Sequence, residues 1–332
     1  MKKSQEYDTD CHAYGLITGS ASAALDGAGL LIKAGELTQA KLLIESAISG
    51  ANVKPLRISG SPDHDIALCI ERFNQTRLRA LIFGKAGSLM EEVDDRAAIS
   101  FFDQSISSWD MAWRDADKFC TEWDLSVGEI CDEDSDCDYT FSYALRIAQA
   151  YERLSEWNQV VTSVERSIRL SGPISYQEHD LLSTAYEELG DYDSCMKHLA
   201  KMREYWYEED DADRELERIC IIAIVAERHG KFHDALDAYD LFSEYYWRFE
   251  HVAGRIEFNK AYLWLKSGNL GQAFVVMHNA RRFFVTDKCW SHDDLVRCDR
   301  AITIVQSAIS LGSEVMPDIE PFEPKEICPS YF

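Results

Sequence analysis

One four-residue segment, Leu189-Gly190-Asp191-Tyr192, recurs in close variants along this chain. The other copies are Ala34-Gly35-Glu36-Leu37, Leu154-Ser155-Glu156-Trp157, His229-Gly230-Lys231-Phe232 and Ser267-Gly268-Asn269-Leu270. Each copy ends one segment of helical apolar periodicity and opens another, as a turn between two helices does. Successive turn residues from Ser155 to Gly268 lie 35, 40 and 38 residues apart. A period of this length predicts an array of helical hairpins, which is a binding architecture more often than an enzyme core.

The apolar pattern on both sides of the Ser155 turn shows the plan of one hairpin. Ala148 and Tyr151 lie at helical spacing before the turn, and Val160, Val164 and Ile168 lie at helical spacing after it. Strand-like alternation of β-branched residues is scarce throughout the chain. The long stretch between Pro62 and Pro317 contains a single further proline. Long helices can therefore form without interruption, and the sequence predicts an all-α fold.

Composition restricts the classes of partner. The 332 residues carry 58 acidic against 34 basic side chains, a formal net charge of −24. Such a surface repels phosphate backbones, so nucleic-acid binding is not expected. It suits basic partners, although acidity also serves solubility. The ten cysteines are scattered, acidic residues within the first ten positions stand where a signal peptide needs its apolar segment, and no apolar run reaches the roughly 18 residues of a membrane span. These features predict a cytoplasmic protein without membrane segments.

Small residues recur at two fixed places around each turn, where closely packed helices require them. Before the turn they are Ala28, Ala148, Ser183, Ala223 and Ala261, and after it Ala40, Val160, Cys195, Ala235 and Ala273. This pattern resembles the tetratricopeptide repeat (TPR) over residues 15–50 and 141–285. The repeats here are longer than the family's roughly 34 residues. The resemblance implies a right-handed superhelical array of antiparallel hairpins, about six in number with a C-terminal capping helix.

The resemblance also implies which residues face the concave groove, through fixed positions on the first helix of each hairpin. The implied groove residues are Gln149, Glu152, Arg153, Thr184, Glu187, Glu188, Ile224, Glu227, Arg228, Phe258, Tyr262 and Leu265. Glutamates occupy one end of this set and apolar residues the other. The lysine and asparagine with which chaperone-binding members clamp a terminal carboxylate are absent. The pattern predicts a partner with basic residues beside an apolar anchor, or else solvated helix positions that pair along the helix.

The organisation along the chain is predicted in four parts. They are an N-terminal tail over 1–12, irregular helical repeats over 13–140, a TPR-like array with its capping helix over 141–312, and a Pro-rich tail over 313–332. Within the second part, the helix 95–125 carries an aromatic stripe that is predicted to be core, with a pocket or a dimer seam as alternatives. The Pro-rich tail is expected to be exposed and disordered. The alternative is that it occupies the chain's own groove.

These observations predict a protein that performs no chemistry, holds no cofactor or metal, and binds another protein or a peptide, with a homo-oligomer possible. A second interpretation is a TPR-type regulatory sensor that responds to a peptide and controls a target protein. A third is a metal-dependent enzyme with its site in the acidic loop Asp132–Asp138. That loop alternates aspartates as a calcium loop does, but Cys137 and Tyr143 replace the required glycine and glutamate.

Overall fold

The fold is described from a computed structural model. It describes residues 19–50, 62–123, 138–171, 174–208, 212–245, 250–286, 292–312 and 315–327. Helices are the only regular secondary structure within these ranges. They are α1 Gly19–Lys33, α2 Leu37–Gly50, α3 Pro62–Met90, α4 Asp95–Trp123, α5 Asp138–Arg153, α6 Trp157–Ser171, α7 Tyr176–Glu188, α8 Tyr192–Glu208, α9 Ala212–Arg228, α10 Phe232–Leu241, α11 Glu250–Lys266, α12 Leu270–Thr286, α13 His292–Ser310 and α14 Pro324–Ile327. The chain divides into two compact units, Met1–Ala185 and Tyr186–Phe332.

All five predicted turns adopt one backbone conformation. The turn residue has a positive φ each time: Gly35 +80°, Ser155 +57°, Gly190 +75°, Gly230 +69° and Gly268 +85°. At the third turn, the Gly190 N–H donates to the Glu187 carbonyl at 3.0 Å and the Asp191 N–H donates to the Tyr186 carbonyl at 2.9 Å. The other four turns repeat this pair of bonds. This Schellman arrangement satisfies the last carbonyls of the helix, and it explains why glycine recurs at the left-handed position.

The small residues on both sides of the turns are buried in every hairpin. At Ala28, Ala40, Val160, Ala261 and Ala273 nothing of the residue reaches solvent. A larger side chain at such a place would separate the two helices, because protein interiors hold few voids. The predicted helical pairs α1 with α2, α5 with α6, α9 with α10 and α11 with α12 are therefore confirmed at the level of local packing.

Unit 1 contains three helical pairs, α1 with α2, α3 with α4, and α5 with α6, and α4 also packs on α5. The predicted aromatic stripe lies on α4. Phe102, Ile106 and Trp109 are wholly buried, and Trp113 is half-buried and meets Phe73 of α3 edge to face at 5.5 Å. The predicted core role of this stripe is confirmed for these residues.

The sequence over residues 66–83 predicts a helix, and α3 continues seven residues beyond it, to Met90. Two glycines inside this extension stand at close contacts and do not break the helix. A Cβ built on Gly84 would lie 2.1 Å from the Tyr143 hydroxyl, and one on Gly87 would lie 2.6 Å from the Phe102 ring. The glycines let α3 approach α5 and α4 more closely than any other residue would. Asp94 and Asp95 are candidate caps in the sequence, and Asp94 caps α4 through a 3.0 Å bond from the Ala97 N–H.

Unit 2 contains the pairs α9 with α10 and α11 with α12, and α13 packs on α12. The capping helix, predicted over 293–309, is α13. Beyond α13 the chain returns, so that α14 packs against α9 and α11. Phe322 is 2% exposed, and Ile319 and Ile327 are also buried. The prediction of an exposed, disordered tail is wrong at Ile319, Phe322 and Ile327, whose side chains are buried within unit 2, whereas Val315 is exposed.

Candidate functional site

Helix α11 presents a polar face toward the returning chain. Arg255 and Asn259 are four residues apart and therefore share one side of the helix. Asn259 is buried, and Arg255 is half-buried. A buried asparagine needs partners for both ends of its amide, because an unpaired polar group in the interior is costly. We call residues 315–327 the tail segment, and the surface of Arg255, Phe258, Asn259, Phe284 and Arg297 the tail seat.

The Asn259 amide binds the main chain of Phe322 at both of its polar groups. Its Oδ1 accepts a hydrogen bond from the Phe322 N–H at 2.7 Å, and its Nδ2 donates to the Phe322 carbonyl at 2.9 Å. The Tyr239 hydroxyl lies 3.4 Å from the same Nδ2 and helps to orient the amide. Phe322 lies outside any helix, so its main chain would otherwise be buried without partners. Asn259 thus supplies the bonds that secondary structure normally supplies.

The Phe322 ring fills an aromatic site in the tail seat. It meets the Phe258 ring edge to face at a centroid distance of 5.1 Å, and the Phe284 ring at 6.0 Å. The Arg297 guanidinium lies 4.2 Å from the centroid of the Phe322 ring, and that of Arg255 lies 5.6 Å from it. Phe322 is therefore an anchor held by aromatic and cation–π contacts.

Arg297 of α13 binds the main chain just before the anchor. One guanidinium nitrogen, Nη2, donates to the Pro321 carbonyl at 2.6 Å and to the Glu320 carbonyl at 3.1 Å. The other, Nη1, lies 3.3 Å from a carboxylate oxygen of Glu326. Arg255 donates to the Glu326 carbonyl as well. The seat therefore contacts non-helical main chain, one aromatic ring and one carboxylate.

Asp294 fixes Arg255 within the seat. Two of the Arg255 guanidinium nitrogens lie 2.9 and 2.8 Å from one Asp294 oxygen. The pair is largely shielded from solvent with the tail segment in place, and the carboxylate holds two nitrogens of the guanidinium at once. Holding the guanidinium in this way lowers the entropy that binding must overcome.

The predicted groove residues of unit 1 are half-buried except Arg153, which is exposed. Gln149 and Thr184 belong to this half-buried group. Arg153 donates to Asp95 at 2.7 Å, at the start of α4. Burial and the neighbouring Asp180 carboxylate raise the pKa of Glu152, and the Arg153 charge opposes this in part. The charged form of Glu152 is therefore destabilised relative to that of a fully solvated glutamate.

Two of the three predicted glutamates of unit 2, Glu187 and Glu227, have partners within the unit. Arg228 donates to Glu187 at 2.6 Å, and the Tyr262 hydroxyl donates to Glu227 at 2.8 Å. Burial, the bond to Glu227 and the charge of Asp318 raise the pKa of Tyr262. Glu188 is exposed and Ile224 is half-buried. The carboxylates of Glu187 and Glu227 therefore already have hydrogen-bonding partners within unit 2.

The predicted aromatic end of the groove is buried with the tail segment in place. Phe258 has no exposed surface, and Leu265 and Tyr262 are buried too. The Phe258 ring is in contact with the Phe322 ring, which belongs to its own chain. The sequence analysis missed Asn259, Arg297 and Arg255. A signal existed for Arg255, because the family's second helix position points into the groove and falls on it in α11.

No group of three or more His, Cys, Asp or Glu side chains that could hold a metal ion occurs among the described residues. Most of the predicted acidic loop, 132–137, lies outside them. No helix in the described ranges combines the length and apolar character needed to cross a membrane. No protein-family model matches the chain, and no curated protein matches it significantly.

Proposed function

We propose that this chain is a TPR-like repeat protein that performs no catalysis and binds an extended segment of another protein. The observation that carries the proposal is the Asn259 amide bonded to both main-chain groups of Phe322. Recognition of this kind draws affinity from the main chain and specificity from side-chain pockets. The aromatic site beside Asn259 is such a pocket.

The repeat assignment rests on local features. Five turns share one left-handed conformation, and small residues are buried on both sides of each turn. These features support the TPR resemblance. The right-handed superhelical array of about six hairpins remains part of the proposal, since repeats of this length stack in that way.

A selection from a random peptide display library tests the binding function. The bait is the full chain carrying Phe322→Ala, which empties the aromatic site. We expect enriched peptides to share one aromatic residue, since the seat offers one ring-sized site and main-chain contacts around it. The matched bait, Asn259→Ala combined with Phe322→Ala, should lose that enrichment. A folded bait that enriches no peptide family, or an enrichment that survives loss of Asn259, contradicts the proposed function.

The peptide-responsive sensor is a second candidate function, and the returning tail segment favours it. A groove whose ligand site already holds a segment of the same chain changes state when another ligand replaces that segment. The control of a target protein by this change would distinguish a sensor from a simple adaptor.

A further inference from the structure

We propose that the tail segment is an internal competitor for the tail seat, and that its chemistry describes the partner. The partner is a segment of another protein with a phenylalanine anchor, an apolar residue three positions before it and a carboxylate four positions after it. This inference rests on the proposed peptide-binding function, since it names the ligand and the regulation of that same site.

The chemistry of the partner is taken from the contacts of the tail segment. Ile319, Phe322 and Ile327 supply its buried side chains. Glu326 supplies the carboxylate near Arg297. The remaining contacts go to main-chain atoms of residues 320, 321, 322 and 326, which every protein segment possesses. Any segment with the same apolar and acidic spacing can therefore make the same contacts.

The charge of the seat favours an acidic segment rather than the basic partner that the sequence predicted. Arg297 faces the anchor ring and its charge meets Glu326, whereas the charge of Arg255 is balanced by Asp294. The tail segment itself carries Asp318, Glu320, Glu323 and Glu326 against a single lysine. Complementary charge raises the rate of capture and selects the partner.

The connection of the tail segment to α13 allows exchange. Leu311 and Val315 flank the connection and are 82% and 78% exposed. Gly312 has a φ of +57° and follows the end of α13. The tail segment is therefore not a continuation of that helix. The contact between Arg297 and Glu326 lies at the edge of the seat, with the two side chains 31% and 35% exposed. Release can therefore begin at this rim without opening the core.

Internal competition has a measurable consequence. The apparent dissociation constant of an outside ligand rises in inverse proportion to the fraction of seats that the tail segment leaves free. A change in the tail segment alone should therefore alter the affinity for an added peptide. A tail segment that merely completed the core would not exchange with an added peptide.

The test uses a fluorescein-labelled synthetic peptide with the sequence of residues 313–332, titrated against the full chain by fluorescence anisotropy. We expect the chain with Phe322→Ala to bind this peptide at least tenfold more tightly than the unaltered chain. The same peptide with Phe322→Ala should bind at least tenfold more weakly. Circular dichroism establishes that the variant chain is folded, and Glu326→Lys in the chain is a milder second variant that should act in the same direction.

The outcomes separate the two proposals. Equal peptide affinity for the unaltered and both variant chains overturns internal competition, while the peptide-binding function stands. Failure of the peptide to bind any folded chain overturns both. Sedimentation of the unaltered chain tests whether the seat binds the tail of a second copy instead. A concentration-dependent dimer that is lost with Phe322→Ala would show this and would overturn the proposal.

Discussion

Replacing Asn259 by alanine should release the tail segment while the helical hairpins stay folded. The change removes the 2.7 Å and 2.9 Å bonds to the Phe322 main chain. A buried N–H or carbonyl left without a partner costs about 1–3 kcal/mol. Water entering from the rim offsets part of this cost, so we expect a loss of about 2–4 kcal/mol in the free energy of tail docking.

That loss corresponds to a change of about 30-fold to about 1,000-fold in the docking equilibrium, at roughly 1.4 kcal/mol per factor of ten. Hydrogen exchange followed by mass spectrometry measures it directly. Amides of the tail segment should exchange faster by about that factor, because local release exposes them without global unfolding. Amides within α11 and α12 should keep most of their protection.

Asn269→Ala is the matched control in the same unit. Its Oδ1 accepts a bond from the Gln272 N–H at 3.0 Å and caps α12. Losing such a cap costs about 1 kcal/mol, but the change does not touch the tail seat. If both variants accelerate exchange in the tail segment equally, or if the Phe322 amide stays protected without Asn259, the proposed role of the amide is refuted.

Three further changes test the turns, the half-buried acid and the buried thiols. Gly230→Ala should lower the free energy of unfolding by about 1 kcal/mol in urea melts. The cost comes from the backbone alone, because φ there is +69° and an added Cβ meets nothing within 4 Å. Ser155→Gly should not lower the free energy of unfolding, and equal losses in the two variants would contradict this explanation. Glu152→Gln should stabilise the fold at pH 7, because burial and Asp180 raise the pKa of Glu152 above its usual 4.5. The penalty on the native carboxylate is present above that raised pKa and disappears as pH falls toward 4.5, so a gain that does not shrink between pH 7 and 4.5 would refute the assignment. Burial raises the pKa of Cys298 to about 12, so a thiol reagent at pH 8 should label it only after urea unfolding, and rapid labelling of the native chain would contradict this burial.

Local rules explain why the hairpins could be predicted from sequence. A glycine such as Gly190 indicates a left-handed turn, and a small residue such as Ala261 indicates close helix packing. Both can be recognised from the residue type, without knowledge of distant parts of the chain. The extension of α3 past Gly84 could not be predicted in this way. A glycine inside a helix pattern indicates either a break or a close contact, and here the contact partner, Tyr143, is distant in sequence.

The tail seat depends on contacts that carry no sequence periodicity. Asn259 and Phe322 are 63 residues apart, and an exposed tail was the expected state of a Pro-rich end. The family rule for groove positions did select Phe258, which contacts the Phe322 ring. It could not show that the contacting segment is part of the same chain.

Arg297 combines main-chain contacts with a ring contact in one rigid group. The contacts to the carbonyls of residues 320 and 321 do not depend on which side chains those residues carry. The stacked ring, by contrast, must follow those carbonyls at a fixed offset. Such a surface should tolerate varied side chains at the positions before the aromatic residue of a ligand. It should not tolerate a shift of that aromatic residue by one position. Natural ligands of such a surface should look unrelated when aligned by overall similarity and should align once their aromatic positions are superimposed.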